Sequence, residues 1–147
     1  MRIIDAESRT EWDKFVTSHP EANFLQSWDF YDFHLSRGRA VVRRIALNQK
    51  GEIIAAYAGV VETARRGRHL AVAGGPILDW QNRELVKAIF RDLRLEGEKH
   101  HCVFVRVRPQ LEKSPKSLAL MRELGAKPAP MYLSVEFAGI LNLEKNE

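Results

Sequence analysis

The chain has 147 residues, 45% hydrophobic and 29% charged, enough for one domain with its own core and too few for a second. Lys and Arg number 23 against 19 Asp and Glu, a formal charge of +4 with a pI of about 9.4; this suits an anionic partner such as nucleic acid, nucleotide-sugar phosphate or a charged lipid surface, and fits a merely solvated basic surface equally well. A single cysteine, Cys102, excludes an intramolecular disulfide, and with no secretory signal pattern and no apolar run near the roughly 20 residues of a membrane helix, a cytoplasmic protein is expected.

Arg2 to Ala6 reads as a short strand. Ser8 or Thr10 caps a helix with Trp12, Phe15 and Val16 on one face, ending before His19-Pro20. Phe24-Leu25-Gln26 reads as a brief extended piece, and Ser27 as the cap of an aromatic helix from Trp28 to Ser36 that Gly38 stops. Two strands follow, Val41 to Leu47 and Glu52 to Thr63, joined by the turn Asn48-Gln49-Lys50-Gly51. A basic turn at Arg65-Arg66-Gly67-Arg68, either solvated or placed to touch phosphate, leads into a buried strand from His69. That strand runs into Gly74-Gly75-Pro76 and the acidic Asp79, where glycine permits close approach of backbone or ligand and proline stiffens the exit. The stretch makes a plausible floor for a binding site without naming a ligand.

From Gln81 to Glu96, Leu85, Val86, Ile89, Phe90 and Leu93 keep a helical period. His101 to Pro109 is a strand in which Val103, Val105 and Val107 alternate with Phe104, Arg106 and Arg108. Ser114-Pro115 opens a helix that Gly125 closes, and Ala126 to Leu143 supplies a final strand or two, chiefly Tyr132 to Leu141. A three-strand meander interrupts the helices, so the order is not that of a Rossmann fold. It predicts an α/β (α+β) domain with a mixed, mostly antiparallel sheet and helices on both faces.

The chemistry is bounded mainly by what is missing. His100-His101-Cys102 points alternately to opposite faces and has no second cluster to complete a zinc shell. Neither a Walker loop, a dinucleotide glycine fingerprint, a nucleophile elbow nor a nucleic-acid-binding signature is present. Cys102, at the start of an apolar run, reads as a small buried hydrophobe. Asp79 suits a general base, a substrate anchor or a helix cap, with capping favoured on physics alone. His34 suits a group titrating near neutrality or a packed rim residue. Arg106 and Arg108 share a strand face, where they clamp phosphate or reach solvent.

Three stretches carry a resemblance: Phe24-Leu-Gln-Ser-Trp-Asp-Phe-Tyr-Asp-Phe-His34, Ala73-Gly-Gly-Pro-Ile-Leu-Asp79 and Val103-Phe-Val-Arg-Val-Arg-Pro109. In this order and spacing they resemble the Fem family of peptidoglycan bridge-forming aminoacyltransferases, whose first domain shows a hydrophobic-Gln-Ser…Trp opening, a Gly-Pro-hydrophobic-Asp turn and an Arg-hydrophobic-x-Pro strand. The resemblance implies a fold like the Gcn5-related N-acetyltransferases (GNAT) and transfer of an amino acid from aminoacyl-tRNA to a stem-peptide amine of a lipid-linked or nucleotide-linked cell-wall precursor. It also implies no metal and no cofactor. The acetyl-CoA loop of the acetyltransferases is missing, in keeping with another donor.

By the same resemblance Asp79 matches the aspartate near the acceptor peptide, and Gly74, Gly75 and Pro76 shape the acceptor floor. His34 stands where some members carry a phosphate-binding lysine, and Arg106 joins the substrate side. Arg108 stands where many members have an acidic residue. Residues 1–147 are expected to form a single GNAT-like domain matching the first half of a two-domain transferase, completed by a second domain or by a second copy. Peripheral membrane contact is an expected accompaniment. The rival readings are an acyl-CoA-dependent N-acyltransferase and a non-catalytic domain that binds precursor or tRNA.

Overall fold

The computed structural model describes residues 1–129. Its element order is β1 (Arg2–Asp5), α1 (Arg9–Thr17), a 3-10 turn (Phe24–Gln26), α2 (Trp28–Ser36), β2 (Val41–Leu47), β3 (Ile53–Ala64), β4 (Gly67–Ala73), β5 (Ile77–Leu78), α3 (Arg83–Lys99), β6 (Phe104–Arg108) and α4 (Pro115–Glu123). The strands form one sheet in the order β1-β2-β3-β4-β6, with the short β5 also on β3. All pairings are antiparallel except β4 with β6, which run parallel across the α3 crossover. The expected mixed, mostly antiparallel sheet is therefore present.

The long central strand β3 explains why its sequence is apolar at nearly every position. Ala55, Tyr57 and Val61 pack with α3 and α4 on one face, among Leu85, Val86, Ile89, Phe90, Leu93, Leu120 and Leu124. The intervening Ala56, Ala58 and Val60 pack with Trp12, Val16 and Tyr31 of α1 and α2 on the other. A strand covered on both sides loses the alternation that a half-exposed strand keeps. Gly97 lets α3 close on β6, since a Cβ there would lie 2.8 Å from Val105 Cγ2.

The charged side chains that enter this core do so in a bonded group, while the buried Trp80 Nε1 makes no hydrogen bond among the described residues. Arg44, on the α3 face of β2, donates from Nε and Nη2 to the two carboxylate oxygens of Asp92 at 3.1 and 3.0 Å, and from Nη1 to Asp5 at 2.7 Å. The hydroxyl of Tyr57 donates to Asp92 at 2.7 Å. Burial first, then the Asp92 charge, pushes the Tyr57 phenol well above its ordinary pKa. The hydrogen bond to Asp92 holds Arg44 more firmly protonated. This network ties β1, β2, β3 and α3 together. On the other face Arg43 lies 4.0 Å from the Trp28 ring centroid and donates to Asp32 at 2.5 Å.

The helix caps Ser8, Ser27 and Ser114 stand where expected, Ser114 with a reciprocal bond to Ser117. Five details differ. Phe24–Gln26 is a 3-10 turn rather than extended, because the Asn23 side chain accepts the Leu25 N–H and curls the chain. The strand expected from His69 begins at Gly67, the helix expected from Gln81 begins at Arg83, and the strand expected from His101 begins at Phe104. β5 was not anticipated. The main run of the expected final strand, Tyr132 to Leu141, lies outside the described residues.

Replacing Asp92 by Ala would take the bidentate partner from the half-buried Arg44, leaving it Asp5 and the more distant Glu96, and would leave the Tyr57 hydroxyl without its acceptor. The expected loss is about 3 kcal/mol, read as a lower midpoint in urea denaturation, with Asp92→Asn costing less because it keeps the shape and part of the bonding.

Candidate functional site

The site grows from a dislocation in the sheet. Val60 of β3 faces Ala71 of β4, and Ala56 faces Ile77 of β5. Over four residues of β3 the opposing chain advances six, so Ala73 to Pro76 bulge away from β3. On that side the backbone of Ala58 has no strand partner, though it still faces Arg43 of β2.

Gln26 supplies the replacement. Its side chain is fully buried. The amide oxygen accepts the Ala58 N–H at 2.9 Å, and the amide nitrogen donates to the carbonyls of Ala58 at 3.1 Å and Ala73 at 2.7 Å. One side-chain amide thus stands in for a peptide unit between two separated strands. Tyr31 supports it: its hydroxyl, 3.0 Å from the same nitrogen, donates to Ala58 O at 2.6 Å. Burial drives the Tyr31 phenol above its usual pKa, so it stays a donor at neutral pH. Trp12 Nε1 donates to the Gln26 carbonyl at 2.9 Å and fixes the backbone behind it.

The two glycines follow from this packing. Gly74 has φ +70°, and a Cβ on it would sit 2.3 Å from Asn23 Oδ1; one on Gly75 would sit 2.7 Å from Gln26 Cδ. What approaches the Gly74-Gly75 backbone closely is the protein's own side chains. Asn23 Nδ2 completes the clamp by donating to Gly74 O at 3.0 Å, and the Gly75–Pro76 peptide is cis.

An open groove of about 680 Å³ lies beside this bulge, lined by Pro20, Glu21 and Ala22 on one side and Gln110, Leu111 and Glu112 on the other. Its walls continue into Asn23 and into β6, where Arg108 faces Ala73 and Arg106 faces Ala71. The groove therefore opens at the C-terminal ends of the parallel pair β4 and β6, the end at which open α/β sheets bind ligands. Arg106 and Arg108 do share a strand face, since Val105 and Val107 between them pack into the α3 core.

Asp79 leaves β5 just beyond the bulge and is exposed. It does not cap α3: Asn82 does, accepting the Leu85 N–H at 3.1 Å. Asp79 Oδ1 instead accepts the Gln81 N–H at 2.9 Å, and its carbonyl accepts the Asn82 N–H at 3.1 Å. The carboxylate shapes the turn into α3 and keeps an oxygen facing solvent.

His34 lies elsewhere. It is buried near the end of α2 against Phe30, Phe33 and Tyr31, with Nδ1 3.3 Å from Arg39 Nη1. Arg39 pairs with Glu62 near the far end of β3, whereas β5 and Asp79 adjoin Ala55. At about 3.4 Å per strand residue these points are more than about 20 Å apart. Gly74, Gly75, Pro76 and Asp79 thus adjoin one another along the chain, whereas Arg106, level with Ala71 and Val60, stands well back from Asp79 on the far side of β4, and His34 does not join them. Cys102 is half-buried, its thiol pushed up in pKa by burial and partly restrained by Arg68.

Gln26 and Asn23 are the site residues that the element-by-element reading of the sequence passes over. The signal for Gln26 was the hydrophobic-Gln-Ser…Trp pattern, in which the glutamine had no assigned role; Asn23 lies just before that pattern and carried none.

Sheet order, the β4 bulge and the parallel crossover define an acetyltransferase-like (GNAT) domain. The chain covers 93% of itself and 98% of glucosamine-6-phosphate N-acetyltransferase from Arabidopsis thaliana with a TM-score of 0.63 at 14% identity. It superposes on FemX with a TM-score of 0.74 at 19% identity, over 85% of this chain and 32% of that one. In sequence, residues 8–118 match the FemAB family model, and the chain belongs to that family. It is 28% identical over 102 residues to aminoacyltransferase FemA of Staphylococcus aureus, covering 69% of this chain and 24% of FemA. The chain thus spans about a quarter of the length of this relative.

Two outcomes test the geometry. Gln26→Leu removes the side-chain partner of the Ala58 N–H and of the Ala73 carbonyl, leaves the Ala58 carbonyl to Tyr31 alone, and should cost about 3 kcal/mol in urea denaturation. For His34, burial and then Arg39 disfavour the imidazolium and lower the folded pKa. Its contribution to stability is therefore complete above the unfolded value near 6.5 and is lost as pH falls through it toward the folded pKa. Thermal melts of His34→Gln should show a shallower fall in Tm from neutral pH to about pH 5 than the parent.

Proposed function

We propose that this chain is the acceptor-binding domain of an aminoacyltransferase that moves an amino acid from aminoacyl-tRNA to a stem-peptide amine of a lipid-linked or nucleotide-linked cell-wall precursor. The observation that carries the reading is the Gln26-braced bulge at Gly74-Gly75-Pro76 beside an open groove, in a chain of the FemAB family. In the reaction the amine nitrogen forms a bond to the ester carbonyl carbon. The ester C–O bond then breaks, and the tRNA ribose hydroxyl leaves with a proton in exchange for the one the amine loses. Such a step needs an oriented, deprotonated amine and stabilisation of the tetrahedral oxyanion.

In this reading the exposed Asp79 carboxylate anchors the incoming amine, the buried Gly74, Gly75 and Pro76 shape the floor from beneath Asn23 and Gln26, and Arg106 faces the anionic part of the precursor. A second domain, or a second copy, supplies the remaining groups. The front of α3 supports a donor other than acyl-CoA. A diphosphate would seek free N–H groups at a helix N-terminus. Here the Leu85 N–H is taken by Asn82 and those of Gln81 and Asn82 by Asp79, which leaves the N–H groups of Arg83 and Glu84, and Asp79 and Glu84 place negative charge at that end.

Calorimetric titration of the chain with a nucleotide-linked muropeptide should give measurable binding. Asp79→Asn should weaken it about tenfold, the size of one charge-assisted hydrogen bond, while CoA gives no heat. Unchanged affinity in Asp79→Asn would reduce that residue to a turn former; tight CoA binding would favour the N-acyltransferase reading.

A further inference from the structure

The end of the sheet opposite the groove carries a second surface. A row of contacts crosses it from α2 to β6. Phe33 lies 5.5 Å from the His34 ring, His34 contacts Arg39, and Arg39 donates to Glu62 at 3.2 Å. Glu62 Oε2 stands 3.7 Å from His69 Nε2, and His69 stacks on Phe104 at 4.7 Å. The β3–β4 turn and the α3–β6 connection meet just beside this row. Arg68 Nε donates to His100 O at 2.8 Å, and the Val103 N–H donates to Arg68 O at 2.8 Å. The last turn of α2, the arginine turn and the start of β6 therefore form one face.

Its composition is unusual for a solvated end. Val103 is 69% exposed, Phe33 58%, Leu35 46% and Phe104 38%. Arg37, Arg65 and Arg66 stand exposed around them and pair with no carboxylate among the described residues. Glu62 is already neutralised by Arg39, and Glu96 by Arg44 and Lys99. The face is thus apolar at its centre and positive at its rim.

We propose that this face docks the protein on an anionic lipid bilayer, with Phe33, Leu35, Val103 and Phe104 entering the headgroup boundary and Arg37, Arg65 and Arg66 meeting lipid phosphates. Apolar side chains flanked by unpaired arginines are the signature of interfacial binding. A single-stranded RNA surface would pair its arginines with aromatic platforms that stack on bases. Leu35 and Val103 have no such face, and they favour lipid. The surface rests on the transferase reading only for its purpose, which is to hold the groove near a lipid-linked acceptor.

The test is co-sedimentation of the chain with vesicles free of any precursor, so that membrane docking and transfer fail separately. Binding is expected to mixed phosphatidylcholine and phosphatidylglycerol vesicles, to weaken with salt, and to be far poorer to phosphatidylcholine alone. Arg65→Glu with Arg66→Glu should lower partitioning about tenfold or more. Val103→Ser, a change at an exposed side chain, should lower it several-fold with the circular dichroism spectrum unchanged. Equal binding to neutral vesicles, or full binding by both variants, would overturn the proposal. So would a charge reversal that abolishes a gel shift with tRNA and leaves vesicle binding intact, which would make the face an RNA surface.

Discussion

The geometry around the groove depends on one buried amide. Where β4 departs from β3, two strands present unpaired peptide groups inside a dry core, and leaving them unsatisfied would cost several kcal/mol. Gln26 meets that demand with one donor–acceptor pair oriented by the 3-10 turn that carries it. A hydrocarbon of the same size would fill the space and satisfy nothing. A water could bond there but would not tie the N-terminal helices to the sheet. The amide does both, and so the bulge becomes a fixed part of the fold.

From that constraint the local sequence follows. Gly75 must lack a side chain because Gln26 occupies its space, and Gly74 must lack one because Asn23 does. Tyr31 must be a phenol rather than a phenylalanine to share the Ala58 carbonyl. Trp12 must reach across from α1 to hold the Gln26 backbone. The Arg44–Asp92–Tyr57 network performs the matching task on the opposite face, locking α3 against the strands whose other side carries the bulge. The sheet is thus held by polar bonds on both faces at the places where hydrophobic packing alone does not select one register.

Much of this could be read before the structure. Helices with five apolar positions in period, serine caps and a closing glycine are specified by neighbours in sequence, and Ser8, Ser27, Ser114 and Gly38 behave accordingly. The features that escaped are set by distant partners. The two-residue β5 exists only because β3 continues past the bulge. Asp79 and Asn82 are both good capping residues three positions apart, and the choice fell to Asn82 once β5 and its turn consumed the intervening chain. Gln26, flanked by Leu25 and Ser27, carries no local mark of burial; its bonds reach residues 32 and 47 positions away. Hydrophobic period finds layers, and it does not find a polar side chain serving as a piece of backbone.

The Ala58 amide has a kinetic consequence. Its hydrogen is donated to a side chain rather than to a strand, so deuterium can enter only when the segment bearing Gln26 lifts from the sheet. Fraying of β4 from its end would leave that hydrogen untouched. A single amide proton therefore serves as a clock for the opening of the groove floor, separate from the breathing of the strands around it.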